Sequence, residues 1–223
     1  VGVAALGVIS ARSVVERRQQ IGVMRAIGFR RGMVEASFLL ESSFIALTSI
    51  VVGTLLGTAI WAFAGAQAFA LLFAFFVFGT AATKLGYARK AAAGIAQEKG
   101  GRRGPGNALS KTSIPALAAV FAATTGYPEL FALALAGAFA TAAFDTVSSE
   151  VGKAYGRRTY LITTLRSVRR GTDGAVSLEG TLSGMAAAVL LGGLGAALGL
   201  YSAAGIVAVV VAAFLATTLE SVV

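Results

Sequence analysis

The positive charges of this 223-residue chain are confined to three stretches, and this distribution constrains the fold more than any motif does. All 19 lysines and arginines lie in the stretches 11–35, 83–111 and 145–177. The segments between them are long and apolar, and about 20 apolar residues let a helix cross roughly 30 Å of hydrocarbon. Each segment is long enough for a helical hairpin that returns the chain to the side it left. The pattern therefore predicts a polytopic membrane protein.

Composition supports the same class. Only 13% of the residues are charged, 57% are hydrophobic and the mean hydropathy is +0.80, whereas soluble domains are about 25% charged. We predict an all-α transmembrane helix bundle of about six full spans plus a truncated first span, Val1–Ser10. Because Val1 lies inside an apolar run without an initiator methionine or a basic leader, the chain looks like a fragment.

The basic stretches also predict an orientation. Loops rich in lysine and arginine stay on the cytoplasmic side of a membrane, so all three are expected at the cytoplasmic face of the plasma membrane. A nucleic-acid partner is the competing interpretation of the net charge of +9. We expect no nucleic acid, because basic loops between spans orient the protein and contact anionic lipid.

The chain contains no cysteine and no histidine, which excludes several kinds of chemistry. A thiolate nucleophile, a disulfide, a zinc or haem site and an imidazole base are all ruled out. Any bound metal must be a hard cation held by carboxylates, and Mg²⁺ is the natural candidate.

The first basic stretch has the pattern of an amphipathic helix. Val14, Ile21, Met24 and Ile27 recur near helical spacing, with arginines mainly between them. The run Glu16–Gly28, followed by Leu39-Leu40-Glu41 and a glycine-rich span, resembles the FtsX/MacB-like permease domain of ABC transport systems. The resemblance implies that residues 1–51 are a permease fragment whose Arg12–Phe29 helix docks on an ABC ATPase. An ordinary basic juxtamembrane helix is the alternative.

The rest of the chain, residues 52–223, resembles another family, domain-of-unknown-function family 92. The resemblance rests on the following residues: Phe75–Thr80, Thr83–Gly86, Lys90, Gly101-Arg102-Arg103, Asn107, Asp145–Gly152 and Gly171–Ser177. That family includes a phytyl-phosphate kinase and is similar to the CTP-dependent polyprenol kinases. The resemblance implies a nucleotide-dependent kinase, with CTP as the expected nucleotide, that phosphorylates an isoprenoid phosphate of the membrane at its cytoplasmic face.

Two carboxylates support a site independently of any family. Asp145 ends an apolar run, and an ionisable residue at the membrane boundary is costly unless it has a partner, which makes it a functional candidate. Glu150 lies five residues further on and projects from another face of a helix. We predict Asp145 as a Mg²⁺ ligand, with Glu150 either a second ligand or the partner of a loop arginine.

The polar stretch that follows suits a phosphorylated ligand, because its glycines allow close approach and its cations match phosphate oxygens. The predicted catalytic residues are Asp145, Glu150 and Asp173. The predicted substrate- or nucleotide-binding residues are Lys153, Arg166, Gly171, Thr172, Gly174, Ser177 and Asn107. Phosphoryl transfer needs mainly positioning and charge neutralisation. A P-loop of the soluble type is absent from the sequence.

Three alternatives remain open from the sequence. The arginines can serve as topology determinants alone, with Asp145 a helix-terminal residue facing water. The chain can instead be a permease-like subunit of an ABC transporter, which would need the Arg12–Phe29 helix and a partner ATPase. It can also be a non-functional fusion of the two families. A kinase needs Asp145 and the Gly171–Ser177 loop, and no partner.

Overall fold

The computed structural model describes residues 18–96 and 105–222. These residues form seven helices and one small two-stranded sheet. In chain order the elements are α1 (Arg18–Ala26), α2 (Arg31–Lys84), α3 (Tyr87–Ala92), α4 (Pro105–Thr124), α5 (Pro128–Tyr155), β1 (Thr159–Leu161), β2 (Ala175–Ser177), α6 (Leu178–Ala197) and α7 (Gly205–Glu220).

The long helix α2 reverses direction at Gly65. This glycine has φ 79° and ψ −177°, a conformation that interrupts the helix and that residues with a Cβ rarely adopt. The rings of Trp61 and Phe69 then meet edge to face at 5.2 Å, and Phe69 also lies against Gly57. Twelve residues of straight helix span about 18 Å, so this last contact requires the two arms of α2 to fold against each other. The break falls between the two apolar runs that the sequence predicts, Phe38–Phe63 and Ala66–Ala82.

Three helices among the described residues are long and apolar enough to cross a membrane, namely α2, α5 and α6. The helix α7 is apolar but has only 16 residues. The prediction of a helical membrane protein is therefore confirmed, whereas the number of about six spans stays a prediction.

Helix α5 is the centre of the bundle, since α2, α4, α6 and α7 all pack against it. Its buried face carries Leu135, Phe139 and Phe144, which belong to one continuous hydrophobic core. The Phe139 ring stacks on Phe75 of α2 at 5.7 Å. Alanine and glycine fill much of the remaining core, because small side chains let membrane helices approach closely.

One detail differs from the sequence prediction: the fold is not purely α-helical, because Thr159–Leu161 pairs antiparallel with Ala175–Ser177. Helix α5 continues ten residues beyond Asp145 to Tyr155. Asp145 and Glu150 therefore lie on the same helix, as expected, and the alternative of a helix-terminal Asp145 is wrong. The extension is possible because Thr146–Tyr155, although more polar, contains neither proline nor a helix-ending glycine before Gly156.

Part of the predicted first helix lies outside the described residues. Of the Arg12–Phe29 segment, the structure describes residues 18–29, and α1 accounts for Arg18–Ala26. The truncated span Val1–Ser10 and the glycine- and arginine-rich stretch 97–104 also fall outside.

The bundle has two ends of different character. We call one the charged end: it holds α3, the start of α4, the last turns of α5 and α7, and the β1–β2 hairpin. The opposite end consists of the three turns around Gly65, Gly126 and Gly199, which contain no lysine or arginine.

Candidate functional site

A polar cleft of about 330 Å³ opens at the charged end. Its walls come from the first turns of α4, from α5 and from the end of α7. The lining residues are Asn107, Ser110, Lys111, Asp145, Thr146, Ser149, Glu150 and Glu220. Every one of them carries a polar or charged side chain, in a chain that is otherwise mostly apolar. Such a concentration of polar groups in a membrane bundle marks a functional candidate.

The first charge pair of the cleft joins α4 to α5. The ammonium of Lys111 donates a short hydrogen bond to the carboxylate of Asp145. Both side chains remain partly accessible, at 18% for Lys111 and 32% for Asp145. A ligand in the cleft can therefore reach both groups.

The second charge pair is buried. The Nζ atom of Lys90 lies 2.5 Å from Oε2 of Glu150, and the two residues are 0% and 2% exposed. Lys90 also donates to the main-chain oxygens of Thr83 at 2.9 Å and Ala82 at 3.4 Å. Glu150 borders the cleft, whereas Lys90 lies behind it and is not among the lining residues.

The corner between α2 and α3 brings Lys90 to this position. Gly86 has φ 61°, in the left-handed region, and a Cβ there would lie 3.0 Å from the Cβ of Ala154 on α5. A glycine is therefore needed both for the backbone conformation and for the close approach. Arg89 extends over the ring of Tyr155 at 5.2 Å, which adds a second contact between α3 and the end of α5.

The β1–β2 hairpin lies close to the cleft but does not line it. Gly171 has φ 86°, and a Cβ there would overlap Ile95, which follows α3. Gly174 has φ 71°, and a Cβ there would lie 3.0 Å from the main-chain oxygen of Ser221. Ser221 follows Glu220, a cleft residue. The hairpin loop thus passes between the ends of α3 and α7, beside the cleft wall.

The structure places three of the predicted site residues together. Asn107, Asp145 and Glu150 all line the cleft. Asp145 and Glu150 project in different directions from α5, as expected from their spacing, but both border the cleft. Each carboxylate pairs with its own lysine. Glu150 pairs with Lys90 and not with a loop arginine.

The other predicted residues lie outside the cleft lining. Lys153 is in the last turn of α5, and Arg166 and Asp173 are exposed in the hairpin loop. Thr172 donates to the main-chain oxygen of Arg169 at 2.8 Å. Ser177 caps α6 by accepting from the amide of Gly180 at 3.2 Å, and it packs against Gly152 of α5. Gly171 and Gly174 make the two close contacts described above.

Sequence reasoning did not select several residues that the structure brings to the site. They are Lys90, Ser110, Lys111, Thr146, Ser149 and Glu220. The sequence contained one signal for Lys111, which directly precedes an apolar run. A lysine at the membrane boundary is costly without a partner, as Asp145 is. No comparable signal marks Glu220, whose place depends on how α7 packs against α5.

The cleft is compatible with Mg²⁺ only if a ligand completes the coordination. Among the described residues no three acidic side chains are grouped closely enough to hold a metal ion. Protein sites for Mg²⁺ often use one or two carboxylates, with water and substrate phosphates supplying the other oxygens. Asp145 fits this role, because it is accessible and lies among the amide and hydroxyl oxygens of Asn107, Ser110 and Ser149. Glu150 fits it less well, because it is buried together with Lys90, whereas Asp145 and its partner Lys111 are both partly accessible to a ligand.

Membrane-length helices, hairpin connections and a charged cleft at one end define an integral membrane protein of the helical-bundle class. The model of the family described as "Integral membrane protein DUF92" matches residues 33–223, and the chain belongs to that family. The match includes the stretch 33–51 that was predicted to be permease-like. None of the comparisons supports the permease resemblance.

Several curated proteins are similar to this chain. An uncharacterized membrane protein of Synechocystis sp. is 48% identical over 170 residues, which cover 75% of this chain and 66% of that protein. The chloroplastic protein VTE6 of Arabidopsis thaliana is 43% identical over 156 residues, covering 68% and 47%. An uncharacterized membrane protein of Methanocaldococcus jannaschii is 32% identical over 149 residues, covering 64% and 58%. The chain thus spans from about half to two thirds of these relatives. No solved structure matches it significantly.

Proposed function

We propose that the cleft is the phosphoryl-transfer site of an isoprenoid-phosphate kinase-like membrane enzyme. Membership of the family supports the kinase proposal, because the family that the sequence resembles includes a phytyl-phosphate kinase. The observation that carries the proposal is the convergence of Asn107, Lys111 and Asp145 in one polar cleft at the charged end. Phosphoryl transfer depends mainly on positioning and charge stabilisation, and these side chains provide both.

Each cleft residue has a role that its chemistry suits. The Lys111 ammonium would bind a phosphate oxygen, and Asn107, Ser110 and Ser149 would donate hydrogen bonds to the same group. Asp145 would hold Mg²⁺, which when bound neutralises phosphate charge. In the absence of ligand Lys111 and Asp145 neutralise each other. Ligand binding would therefore replace the Lys111–Asp145 pair by a contact of Lys111 with the phosphate and a contact of Asp145 with Mg²⁺.

The nucleotide and the lipid would approach from different directions. We assign the nucleotide, with CTP as the first candidate, to the aqueous side of the cleft. There the Gly171–Gly174 loop passes beside Glu220, and Arg166 and Lys153 are available. The isoprenoid phosphate would come from the membrane, with its phosphate at the level of Lys111. By the positive-inside rule this end would face the cytoplasm at the plasma membrane.

The test is nucleotide-dependent phosphorylation of phytyl and farnesyl phosphates by the purified chain in detergent with Mg²⁺. CTP, ATP, GTP and UTP are compared, beside an Asp145→Asn variant. Because Asp145 would hold the ion that neutralises charge in the transition state, the variant should lose at least about a hundredfold in turnover.

The matched control is Glu129→Gln, which removes a carboxylate from the first turn of α5 at the opposite end. It should leave turnover unchanged. A folded parent that is inactive with all four nucleotides would contradict the kinase proposal. Equal losses in the two variants would place the reaction away from the cleft.

A further inference from the structure

The charge of the cleft lining does not match the ligand it is proposed to bind. Among the lining residues that the structure describes, three are carboxylates, Asp145, Glu150 and Glu220, and one, Lys111, is cationic. A phosphate-bearing ligand is an anion, so each uncompensated carboxylate in this lining opposes its binding. Positive charge that compensates these carboxylates, whether Mg²⁺ at Asp145 or a lysine close by, therefore favours the ligand.

Lys90 supplies such a charge from behind the wall. Its ammonium lies 2.5 Å from Glu150, on the side away from the cleft, and its side chain is completely buried. A charge in a low-dielectric interior acts on its surroundings more strongly than a charge in water, and salt screens it less. Lys90 therefore acts on the cleft through the Glu150 carboxylate.

The position of this ammonium is fixed by its contacts. Its three N–H groups match three acceptors, the Glu150 carboxylate and the main-chain oxygens of Ala82 and Thr83. Those two oxygens belong to the last turn of α2, the negative end of that helix. If the Lys90 ammonium moved out into solvent, all three acceptors would stay buried without a donor, which is costly.

We propose that Lys90 is a positioning residue that, through Glu150, sets the electrostatic potential of the cleft so that it admits a phosphate-bearing ligand. The identity of the ligand rests on the proposed function, whereas the effect of Lys90 on the potential does not. Loss of Lys90 would leave Glu150 as an uncompensated negative charge in the cleft wall.

The absence of cysteine from the chain allows a direct measurement of this potential. Ser149 is exposed and lines the cleft, so a Ser149→Cys substitution places one reactive thiol there. The Ser149→Cys chain in detergent is labelled with a cationic and with an anionic methanethiosulfonate reagent of similar size. The ratio of the two rates reports the local potential, because the intrinsic reactivity of the thiol cancels.

Three further substitutions in this background have predicted directions. Lys90→Met should raise the cation-to-anion ratio by about tenfold, because it removes a buried positive charge near the thiol. Glu150→Gln should lower the ratio. The double variant Lys90→Met/Glu150→Gln should return it close to the parent value. Lys84→Met removes an exposed lysine at the same end and should leave the ratio nearly unchanged.

An equal change of ratio in Lys90→Met and Lys84→Met would overturn the proposal, since any lysine would then have the same effect. If Lys90→Met does not fold, Glu150→Gln is compared with the double variant, which differs only at Lys90. An identical ratio in those two proteins would also overturn it.

Turnover of phytyl phosphate is measured in proteins that retain Ser149 and carry the same substitutions at Lys90, Glu150 and Lys84. It separates this inference from the proposed function. An inactive parent with a ratio that shifts as predicted would contradict only the kinase proposal. An active parent whose ratio is unaffected by Lys90→Met would contradict only the role given to Lys90.

Discussion

The two ends of the bundle are held together by different interactions. At the charged end, the pairs Lys90–Glu150 and Lys111–Asp145 join α3 and α4 to α5. At the opposite end, Tyr201 in the turn between α6 and α7 lies against two glycines, Gly195 and Gly205. One end thus depends on compensated charge, and the other on close packing.

The opposite end also has a cavity, and its composition sharpens the contrast. The cavity has about 340 Å³, and apart from Gln67 and Glu129 its lining is apolar or glycine. The polar cleft at the charged end has almost the same volume, about 330 Å³, but no apolar residue in its lining. Similar space at the two ends therefore comes with different chemistry. Among the described lining residues, the cleft at the charged end has a lysine and three carboxylates, whereas the cavity at the opposite end has Glu129 as its single ionisable group.

This difference indicates how the structure divides stability and function. Buried charges are expensive in a membrane protein and are retained where they serve a ligand or a unique arrangement. Glycine contacts allow helices to approach without polar groups. We therefore expect substitutions at the charged end to alter stability and cleft chemistry together, and those at the opposite end to alter stability alone.

The largest expected effect is that of Lys90→Met on stability. The variant leaves the Glu150 carboxylate buried without its partner, and breaking a buried pair in this way typically costs about 3–5 kcal/mol. The measurement is the free energy of unfolding in detergent, followed by circular dichroism.

The control for this substitution is Lys84→Met, at an exposed position of the same α2–α3 corner. It should change the free energy of unfolding by less than about 0.5 kcal/mol, as is usual for surface substitutions. Similar stability losses in the two variants would show that the Lys90–Glu150 pair does not stabilise the charged end more than an exposed lysine does.

The membrane class and the separation of charge along the chain could be predicted from the sequence, because both follow from composition and spacing. The pairing of the charges could not. Lys90 is 60 residues from Glu150, and Lys111 is 34 residues from Asp145. Nothing local to either lysine specifies its partner, since the pairing depends on how α3 and α4 pack against α5. The contacts of the Gly171–Ser177 loop could not be predicted for the same reason: its glycines allow a close approach to Ile95 and Ser221.

Glycine-rich packing was also predictable only in general terms. The 28 glycines predict close helix contacts, but spacing alone does not show which of them are required. Gly193 and Gly195 are two residues apart on α6 and differ completely in their surroundings. A Cβ at Gly193 would meet nothing within 4 Å, whereas one at Gly195 would overlap the phenol of Tyr201, 2.8 Å from its Cζ.

An intermediate effect is expected for Gly195→Ala at the opposite end. The added methyl group forces Tyr201 to move, and overpacking of this kind costs about 1–3 kcal/mol. Unfolding in detergent gives the loss of stability, and the labelling ratio at Ser149→Cys should stay at the parent value because no charge near the cleft changes.

Gly193→Ala is the matched control, with the same chemical change on the same helix. It should be neutral or slightly stabilising, because alanine favours a helix over glycine by about 1 kcal/mol. A shift of the labelling ratio in Gly195→Ala would break the comparison, since packing at one end would then influence the cleft at the other.

The smallest effect is expected for Tyr201→Phe, and it has a characteristic pH dependence. The Tyr201 hydroxyl donates to the main-chain oxygen of Gly192 at 2.9 Å, and loss of such a bond costs about 1 kcal/mol. Burial raises the pKa of this phenol above its ordinary value of 10.0. The folded state therefore holds the proton more tightly than the unfolded chain does, so this contribution is complete below about pH 10 and decreases at higher pH.

The difference in unfolding free energy between parent and Tyr201→Phe should thus be constant from about pH 7 to about pH 9 and smaller near pH 11. Titration of lysines affects both proteins equally and cancels in this difference. A difference that grows above pH 10 would mean that the folded state favours the ionised phenol. Tyr201 would then lie in a polar site, and the contrast between a charged end and a close-packed end would no longer hold.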